Sequence, residues 1–180
     1  MLTNSTILVT GGTGSFGNTF VPMTLAKYNP KKIIIFSRDE MKQWDMAKNY
    51  NDDPRVRFFI GDVRDRGAVD RAVQGVDAIF HAAALKQVPS CEFFPHEAVL
   101  TNIIGSENII RSAIAAKVRS VVCLSTDKAV FPVNAMGMTK ALMEKTAQAA
   151  ARSLGSGADT IISAVRYGNV MYSRGSAIPL

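Results

Sequence analysis

Several residue types and sequence patterns are scarce in this chain of 180 residues, and each scarcity excludes a class of protein. Two cysteines, Cys91 and Cys123, are too few for a disulfide framework, so we interpret both as buried reduced thiols. His81 and His96 have no cysteine, histidine or carboxylate nearby at ligand spacing, so no metal site is expected. No apolar run approaches the roughly 20 residues that span a bilayer, and no basic segment precedes the first apolar run. We therefore expect a cytoplasmic protein with no membrane partner.

The net charge is positive, but the basic residues are not clustered. Lysine and arginine number 21 against 15 aspartates and glutamates, and the formal charge of +6 would suit an anionic ligand. The chain has no block of consecutive basic residues and no aromatic residues interleaved with basic ones, so nucleic acid is not an expected partner. An apolar share of 47% is typical of a globular protein, and the length suits one domain.

Short apolar runs alternate with longer amphipathic segments along the whole chain. Near-continuous β-branched runs of this length are typical of strands buried on both faces, as parallel sheets require. The predicted strands are Ile7–Val9, Ile33–Phe36, Val56–Ile60, Ala78–Phe80, Val121–Leu124 and Ile161–Val165. Helices are predicted near residues 16–28, 39–50, 66–74, 95–116 and 135–153. In the fourth helix Val99, Ile103, Ile110 and Ile114 fall on one face. The pattern predicts an α/β fold with a doubly wound parallel sheet and right-handed crossovers.

A glycine-rich segment lies between the first predicted strand and the first predicted helix. Its glycines satisfy G-x-G-x-x-G and the related G-x-x-G-x-x-G. Glycine permits a tight turn, close approach of a pyrophosphate to the backbone, and packing of the helix on the strand. The helix N-terminus then offers N–H groups and a positive dipole end to an anion. The segment predicts a Rossmann-type dinucleotide site formed by Gly11, Gly12, Thr13, Gly14, Ser15, Phe16 and Gly17.

The residues after the second predicted strand indicate which dinucleotide binds. An NAD site typically has an acidic residue about 20 residues past the glycines. Here Ser37 and Arg38 occupy that place and can bind the 2′-phosphate of NADP by charge-assisted hydrogen bonds, with Lys42 adding a point charge. Alternatively, Ser37 and Asp39 cap the next helix while Arg38 is solvated, and both interpretations can hold together. We expect NADP as the cofactor.

Two further segments follow predicted strands, at the edge where open α/β sheets bind ligands. Asp62 and Val63 follow the third strand, where Asp62 can meet an adenine edge. Ala82, Ala83 and Ala84 follow the fourth strand, where small side chains let a dinucleotide lie close to the backbone. Each segment alone is weak evidence for a ligand contact, and its position at this edge of the sheet is what supports the interpretation.

Eight segments together carry a resemblance to a known family. They are Gly11–Gly17, Ser37–Glu40, Gly61–Asp65, His81–Pro89, Thr101–Ile103, Ser125–Ala129, Asn134–Gly137 with Thr139 and Lys140, and Arg166–Val170. The chain resembles the extended short-chain dehydrogenase/reductases, and most closely the C5-inverting UDP-N-acetylglucosamine 4,6-dehydratases that serve capsule, O-antigen and flagellin-sugar pathways in bacteria. The resemblance covers nearly the whole chain.

The resemblance implies a reaction in three parts with bound NADP. A hydride leaves C4 of the sugar for NADP⁺, and the resulting ketone acidifies C5–H so that water can leave from C6. The hydride then returns to C6, and protonation of C5 from the opposite face inverts that centre. The implied substrate is a UDP-sugar, with Lys86, Asn169 and Arg174 as its contacts. Relatives commonly form homo-oligomers, so a homo-oligomer is expected.

The relatives implied by the resemblance are longer and add a small C-terminal domain that grips the UDP-sugar. We expect residues 1–180 to form a truncated NADP-binding Rossmann domain with the substrate domain missing. Such a chain should bind NADP, turn over UDP-sugar poorly because half the cleft wall is absent, and self-associate through uncovered apolar surface.

The same resemblance implies that Thr126, Asp127 and Lys128, after the fifth strand, face the nicotinamide and the sugar. An elimination needs an acid and a base at the same time, and the implied acid is Asp127 and the implied base Lys128. A desolvated lysine near a second cation has a lowered pKa, which would make Lys128 competent. The alternatives are a surface salt bridge between neighbours, or a turn capped by Asp127.

The family's usual base is the tyrosine of Tyr-x-x-x-Lys, and here Met136 stands in its place while Lys140 is kept. A thioether cannot accept a proton from the C4 hydroxyl. Three interpretations follow: a subgroup in which Lys128 or a bound water takes the role, an impaired enzyme, or a misplaced alignment in which Met136 is ordinary core filler.

Two other functions compete with the dehydratase. One is another extended short-chain reductase, such as a nucleotide-sugar 4-epimerase, which needs no acid at C6 and so leaves Asp127 beside Lys128 unexplained. The other is a non-catalytic NADP-binding regulatory or scaffold protein, which only Met136 and the short length favour.

Overall fold

The computed structural model describes residues 2–171, and its centre is one parallel sheet of six strands. The strands are β1 Thr6–Thr10, β2 Lys32–Ser37, β3 Val56–Ile60, β4 Ala78–His81, β5 Ser120–Thr126 and β6 Ile161–Tyr167. Their order across the sheet is β3-β2-β1-β4-β5-β6, with every neighbouring pair parallel. The order reverses between β1 and β4, which is the switch point where such sheets bind ligands. The predicted doubly wound sheet is confirmed.

Helices connect the strands within residues 2–171. They are α1 Ser15–Tyr28, α2 Glu40–Ala47, α3 Arg66–Ala72, α4 Val88–Phe93, α5 Pro95–Ala98, a π-helical segment Val99–Ile104, α6 Gly105–Ala115, a 3₁₀ turn Asp127–Ala129 and α7 Ala135–Leu154. All five predicted helical regions are present, while α4 was not predicted. Of these helices, none combines the length and the apolar character that crossing a membrane requires.

Alternating side chains of β1 feed two apolar cores, one on each face of the sheet. Leu8 joins the larger core, to which α3, α6 and α7 contribute, whereas Ile7 and Val9 join the core beneath α1 and α2. Every residue of β1 is buried, as expected for a central parallel strand. The sheet therefore holds the carboxyl ends of β1, β4 and β5 side by side in a fixed frame.

The predicted burial on both faces is wrong for both edge strands, and Ile60 at the end of β3 is 59% exposed. The last strand was expected to be buried on both faces, but Ile161 is 65% exposed and Val165 is 47% exposed. The reason is that β6 is an edge strand and α7 packs on its other face. In the helix predicted over 95–116, Val99 and Ile110 were placed on one face, but Val99 is 37% exposed whereas Ile110 is buried. A π turn contains an additional residue, so the segment Val99–Ile104 rotates the residues before it relative to those of α6.

Candidate active site

The glycine turn after β1 is closed against neighbouring backbone. Gly11 has a φ of +62°, and a Cβ atom there would lie 2.8 Å from the Cα atom of Ala83. A Cβ atom on Gly17 would overlap the carbonyl oxygen of Gly12, so only glycine allows α1 to pack so close to the turn. Gly14 precedes this 14-residue helix and supplies no capping side chain. Gly14 therefore places no side chain at the N-terminus of α1, an arrangement that fits the pyrophosphate of a dinucleotide.

The other predicted residues of this turn have different surroundings. Thr13 Oγ1 lies 2.9 Å from Ser37 Oγ and so joins the turn to the end of β2. Ser15 begins α1. Phe16 stacks on Phe20 with ring centroids 5.0 Å apart, at the margin of the core beneath α1. Thr13 is thus the member that links the turn to the predicted 2′-phosphate residues.

Both interpretations of the segment after β2 fit the structure. Asp39 caps α2 by accepting a hydrogen bond from Lys42 N at 3.0 Å, and the Lys42 ammonium lies 2.6 Å from the same carboxylate. Ser37 Oγ accepts from Asp39 N at 3.2 Å. The side chain of Arg38 is 56% exposed and lies 3.6 Å from Asp62. The Arg38 guanidinium is thus largely exposed at the end of β2 while it is paired with Asp62, and its contact with a 2′-phosphate stays a prediction.

Asp62 is already engaged by a neighbour. Arg64 donates to its carboxylate through Nε at 2.9 Å and Nη2 at 2.7 Å. Burial raises the pKa of Asp62, but the hydrogen bonds from Arg64 outweigh this, and the pKa is lowered overall. Val63 is buried, and a Cβ atom on Gly105 would lie 2.7 Å from its side chain. Val63 thus packs the segment that follows β3 against the start of α6, and its contact with a cofactor stays a prediction.

The 3₁₀ turn after β5 brings together the predicted acid and base. Asp127 Oδ1 accepts from Thr126 Oγ1 at 2.8 Å and lies 3.2 Å from Lys128 Nζ. Lys128 Nζ also donates to Asn169 Oδ1 at 3.3 Å. Hydrogen bonds from Thr126 and then Lys128 lower the pKa of Asp127. Because the strands are parallel, this turn lies at the same sheet edge as the glycine turn after β1, as the sequence predicts.

Lys128 does not have the surroundings that the sequence argument assumed. Its side chain is 40% exposed, and its ion-pair partner is the carboxylate of Asp127 rather than a second cation. The desolvated lysine is Lys140 on α7, which is buried and donates from Nζ to the carbonyl of Leu124 at 2.8 Å. Burial lowers the pKa of Lys140 to about 8. The premise of desolvation at Lys128 was therefore wrong.

Met136 and Lys140 keep the spacing of the family's base and lysine, one turn apart on α7. Asn134 caps this helix by accepting from Gly137 N at 2.8 Å. The Met136 side chain is buried in a small apolar cluster with Cys91 and Ala98. The methionine therefore fills core space between α4 and α7. Lys140, the lysine of the motif, reaches the carbonyl of Leu124 on β5 from the same helix.

Two of the predicted substrate residues, Lys86 and Asn169, lie in segments that follow strands of the sheet. Lys86 is exposed in the segment between β4 and α4, and Asn169 is exposed after β6, where it contacts Lys128. Ala82, Ala83 and Ala84 follow β4 directly and are half-buried. Arg174 lies outside the described residues.

The sequence analysis assigned no role to two buried polar groups near the site. Glu144 on α7 accepts from Arg166 on β6 at 2.9 and 2.6 Å and from Ser125 on β5, and the Arg166 bond is the first cause of its lowered pKa. Asn102 in the π-helical segment bonds the backbone of Leu85. A carboxylate one turn after Lys140, and an asparagine inside an apolar run, were the available signals, because buried polar groups require partners.

A parallel sheet in this strand order, with a glycine turn at its switch point, defines a Rossmann-type dinucleotide-binding domain. The family described as polysaccharide biosynthesis protein matches residues 7–180, and the chain belongs to that family. Its homologues include nucleotide-sugar epimerases and dehydratases.

Three relatives illustrate the likeness. A protein of Rickettsia felis named UDP-glucose 4-epimerase is 55% identical over 100% of this chain and 53% of its own length. The X-ray structure of Pen from Bacillus thuringiensis is 41% identical with a TM-score of 0.93, over 97% of this chain and 55% of that one. DesIV, a dTDP-glucose 4,6-dehydratase from Streptomyces venezuelae with NAD and TYD bound, is 30% identical with a TM-score of 0.80, over 89% and 55%. The chain spans about half the length of the curated relatives it matches.

Proposed function

We propose that this protein is a UDP-N-acetylglucosamine 4,6-dehydratase that inverts C5 and uses bound NADP, in the synthesis of a capsule or O-antigen polysaccharide. The observation that carries the proposal is the pair of Asp127 and Lys128, 3.2 Å apart, at the same sheet edge as the glycine turn. Membership of the polysaccharide biosynthesis family supports the pathway class, and the likeness to DesIV supports dehydration.

The residues present fit a dinucleotide. Gly11, Gly12 and Gly17 leave no room for side chains, and α1 begins at the turn they form. When bound, NADP would supply a hydride acceptor for C4 and a hydride donor for C6. Its 2′-phosphate would meet Ser37 and Arg38, whereas DesIV was crystallised with NAD. Tighter binding of NAD than of NADP would contradict this choice.

The chain's own residues would move the protons. Lys128 would take the proton from C5, and Asp127 would give one to the departing C6 hydroxyl. The C4 hydroxyl also loses a proton when its hydride leaves, and because the thioether of Met136 cannot accept it, that proton would pass to a bound water. The lowered pKa of Asp127 means that its anion is favoured when the site is open to water. The acid role therefore requires bound sugar to exclude water and to draw Lys128 away, since both changes raise the pKa of a carboxyl group.

A specific observation favours a second candidate, a nucleotide-sugar 4-epimerase. The relative in Rickettsia felis that is 55% identical carries that name. An epimerase oxidises and reduces C4 but removes no water, so it has no use for an acid at C6. Asp127 beside Lys128 is the reason for placing the dehydratase first.

The test is incubation of the full-length protein with UDP-N-acetylglucosamine and NADP, followed by mass spectrometry of the product. Loss of one water is expected from a dehydratase and an unchanged mass from an epimerase. Asp127→Asn and Lys128→Met should each lower turnover by about 10²–10⁴-fold while dinucleotide binding is kept.

The matched controls are Asp159→Asn and Lys117→Met. These two residues form a similar exposed ion pair at 3.4 Å near the start of β6, at the opposite edge of the sheet. The control variants should keep full turnover. A wild-type protein that binds NADP but leaves the sugar unchanged in mass and configuration would instead support a non-catalytic NADP-binding protein.

A further inference from the structure

A row of buried polar side chains crosses the sheet beneath the glycine turn. Thr10 ends β1, His81 ends β4, and Ser106 lies in the first turn of α6, and all three are fully buried. Thr10 Oγ1 lies 2.7 Å from His81 Nδ1, and His81 Nε2 lies 2.8 Å from Ser106 Oγ. None of the three has a part in the proton transfers proposed above.

The direction of each hydrogen bond follows from the outer members of the row. The Ser106 hydroxyl donates its single proton to the carbonyl of Asn102 at 2.7 Å, so His81 must donate to Ser106 from Nε2. Burial, and then the charge of Lys140, lower the pKa of His81 to about 3, so the imidazole is neutral and Nδ1 is an acceptor. Thr10 donates to Nδ1 and in turn accepts from Ala83 N at 3.3 Å. Every hydrogen bond of the row is therefore donated in the same sense, from Ala83 N–H at one end to the carbonyl of Asn102 at the other.

The row ends on the backbone segment 82–85 from two sides. At its first end, Thr10 holds Ala83, the residue whose Cα atom occupies the space a Cβ on Gly11 would need. At the other end, Ser106 bonds the backbone carbonyl of Asn102. The side-chain amide of Asn102 in turn accepts from Leu85 N at 2.8 Å and donates to Leu85 O at 3.0 Å. The distance between segment 82–85 and the glycine turn therefore depends on both ends of the row.

We propose that His81 is a positioning residue of the dinucleotide site, which acts as the neutral tautomer with its proton on Nε2 and holds segment 82–85 against the glycine turn. The proposal rests on the proposed function in so far as a dinucleotide binds at that turn. His81 touches neither the sugar nor the pyrophosphate in this scheme. It acts through Thr10 and Ser106.

The tautomer is tested first, by nitrogen NMR of the ¹⁵N-histidine-labelled protein. His81 should show a protonated Nε2 and an unprotonated Nδ1, unchanged from about pH 5 to about pH 8. In Ser106→Ala the acceptor for Nε2–H is gone, so the signal of an Nδ1-protonated form should appear. A proton on Nδ1 in the wild-type protein, or titration of His81 within that range, would overturn the proposal.

The positioning role is tested by affinity for NADPH, measured by fluorescence titration, with unfolding temperature recorded for each variant. The amide of His81→Gln can still donate to Ser106, that of His81→Asn can still accept from Thr10, and His81→Leu keeps neither bond. Loss of one link should weaken NADPH binding about fivefold to tenfold, and loss of both should weaken it further. Ser106→Ala is the milder second variant should His81→Leu not fold.

The outcomes separate this proposal from the proposed function. If wild-type protein binds no dinucleotide, the proposed function fails, while the NMR result still decides the tautomer. If wild-type protein binds NADPH and folded His81→Asn, His81→Leu and Ser106→Ala bind it equally well, the positioning role of His81 is wrong.

Discussion

Lys140 bears a buried ammonium group, and the fold provides little to offset its desolvation. Its Nζ bonds the carbonyl of Leu124, and burial lowers its pKa to about 8, with Cys123 and Glu144 opposing this only in part. An unfolded lysine titrates near a pKa of about 10.4. Between these two values the unfolded chain binds more protons than the folded one, so Lys140 makes stability rise with pH in that window. Below about pH 8 the full cost is present.

Lys140→Met should remove this slope. The free energy of unfolding of Lys140→Met minus that of wild type should be largest at neutral pH. This difference should fall by about 3 kcal/mol as pH rises from about 8 to about 10.4, as the pKa difference requires. Urea denaturation of both proteins across that range measures it. Lys145→Met, at an exposed position on the same helix, is the control and should show no such trend. A difference between Lys140→Met and wild type that stays constant with pH would contradict the assignment.

The positions of most strands and helices could be predicted from the local sequence pattern. The π turn, the short helix α4 and the burial of individual side chains could not. The central strands were predicted because runs such as Ile33–Phe36 are apolar on both faces, and the turn at Gly11 because its residue type is sterically required. The π turn at Val99–Ile104 and the short helix α4 were missed, since one inserted residue or one proline-started turn leaves no periodic signal. The burial of Lys140 rather than Lys128 depends on tertiary packing, which no local pattern reports.

The ion pair of Glu144 and Arg166 joins α7 to β6, two elements that local sequence could not connect. The Glu144 carboxylate is buried and the Arg166 side chain is half exposed. Since a hydrogen bond from Arg166 lowers the pKa of Glu144, the folded pKa lies below the unfolded one. The pair therefore stabilises the fold above the unfolded carboxyl pKa of about 4.3 and loses that contribution as pH falls through the folded value.

Arg166→Met should destabilise the protein by about 1–3 kcal/mol at neutral pH, because it leaves a buried carboxylate without its principal partner. Adding Glu144→Met to that variant should recover most of the loss, since an apolar pair of similar volume carries no desolvation cost. Chemical denaturation of the two single variants and the double variant forms the cycle. Effects that simply add in the double variant would show that the two side chains do not act as a pair.

The sheet as a whole is covered unevenly within residues 2–171. Successive side chains of a strand point to opposite faces, and α7 takes the face of β6 that carries Arg166. The other face carries Ile161, Val165 and Tyr167, all exposed, on a strand whose outer edge has no partner among the described residues. Parallel sheets are ordinarily buried on both faces, and an open apolar edge strand is a site for pairing with another chain. This uncovered surface is the physical basis for expecting self-association of the 180-residue chain.

Ile161→Lys together with Val165→Lys should therefore reduce self-association of this chain. Charge on an edge strand blocks edge-to-edge pairing, and it also removes apolar area that association would bury. Sedimentation velocity over a range of protein concentrations should show the wild-type distribution shifting to larger species and the double variant remaining smaller. Met23→Lys with Met41→Lys, two exposed methionines on α1 and α2, is the matched control and should behave like wild type. A wild-type chain that stays monomeric at every concentration would show that the exposed face of β6 does not drive association.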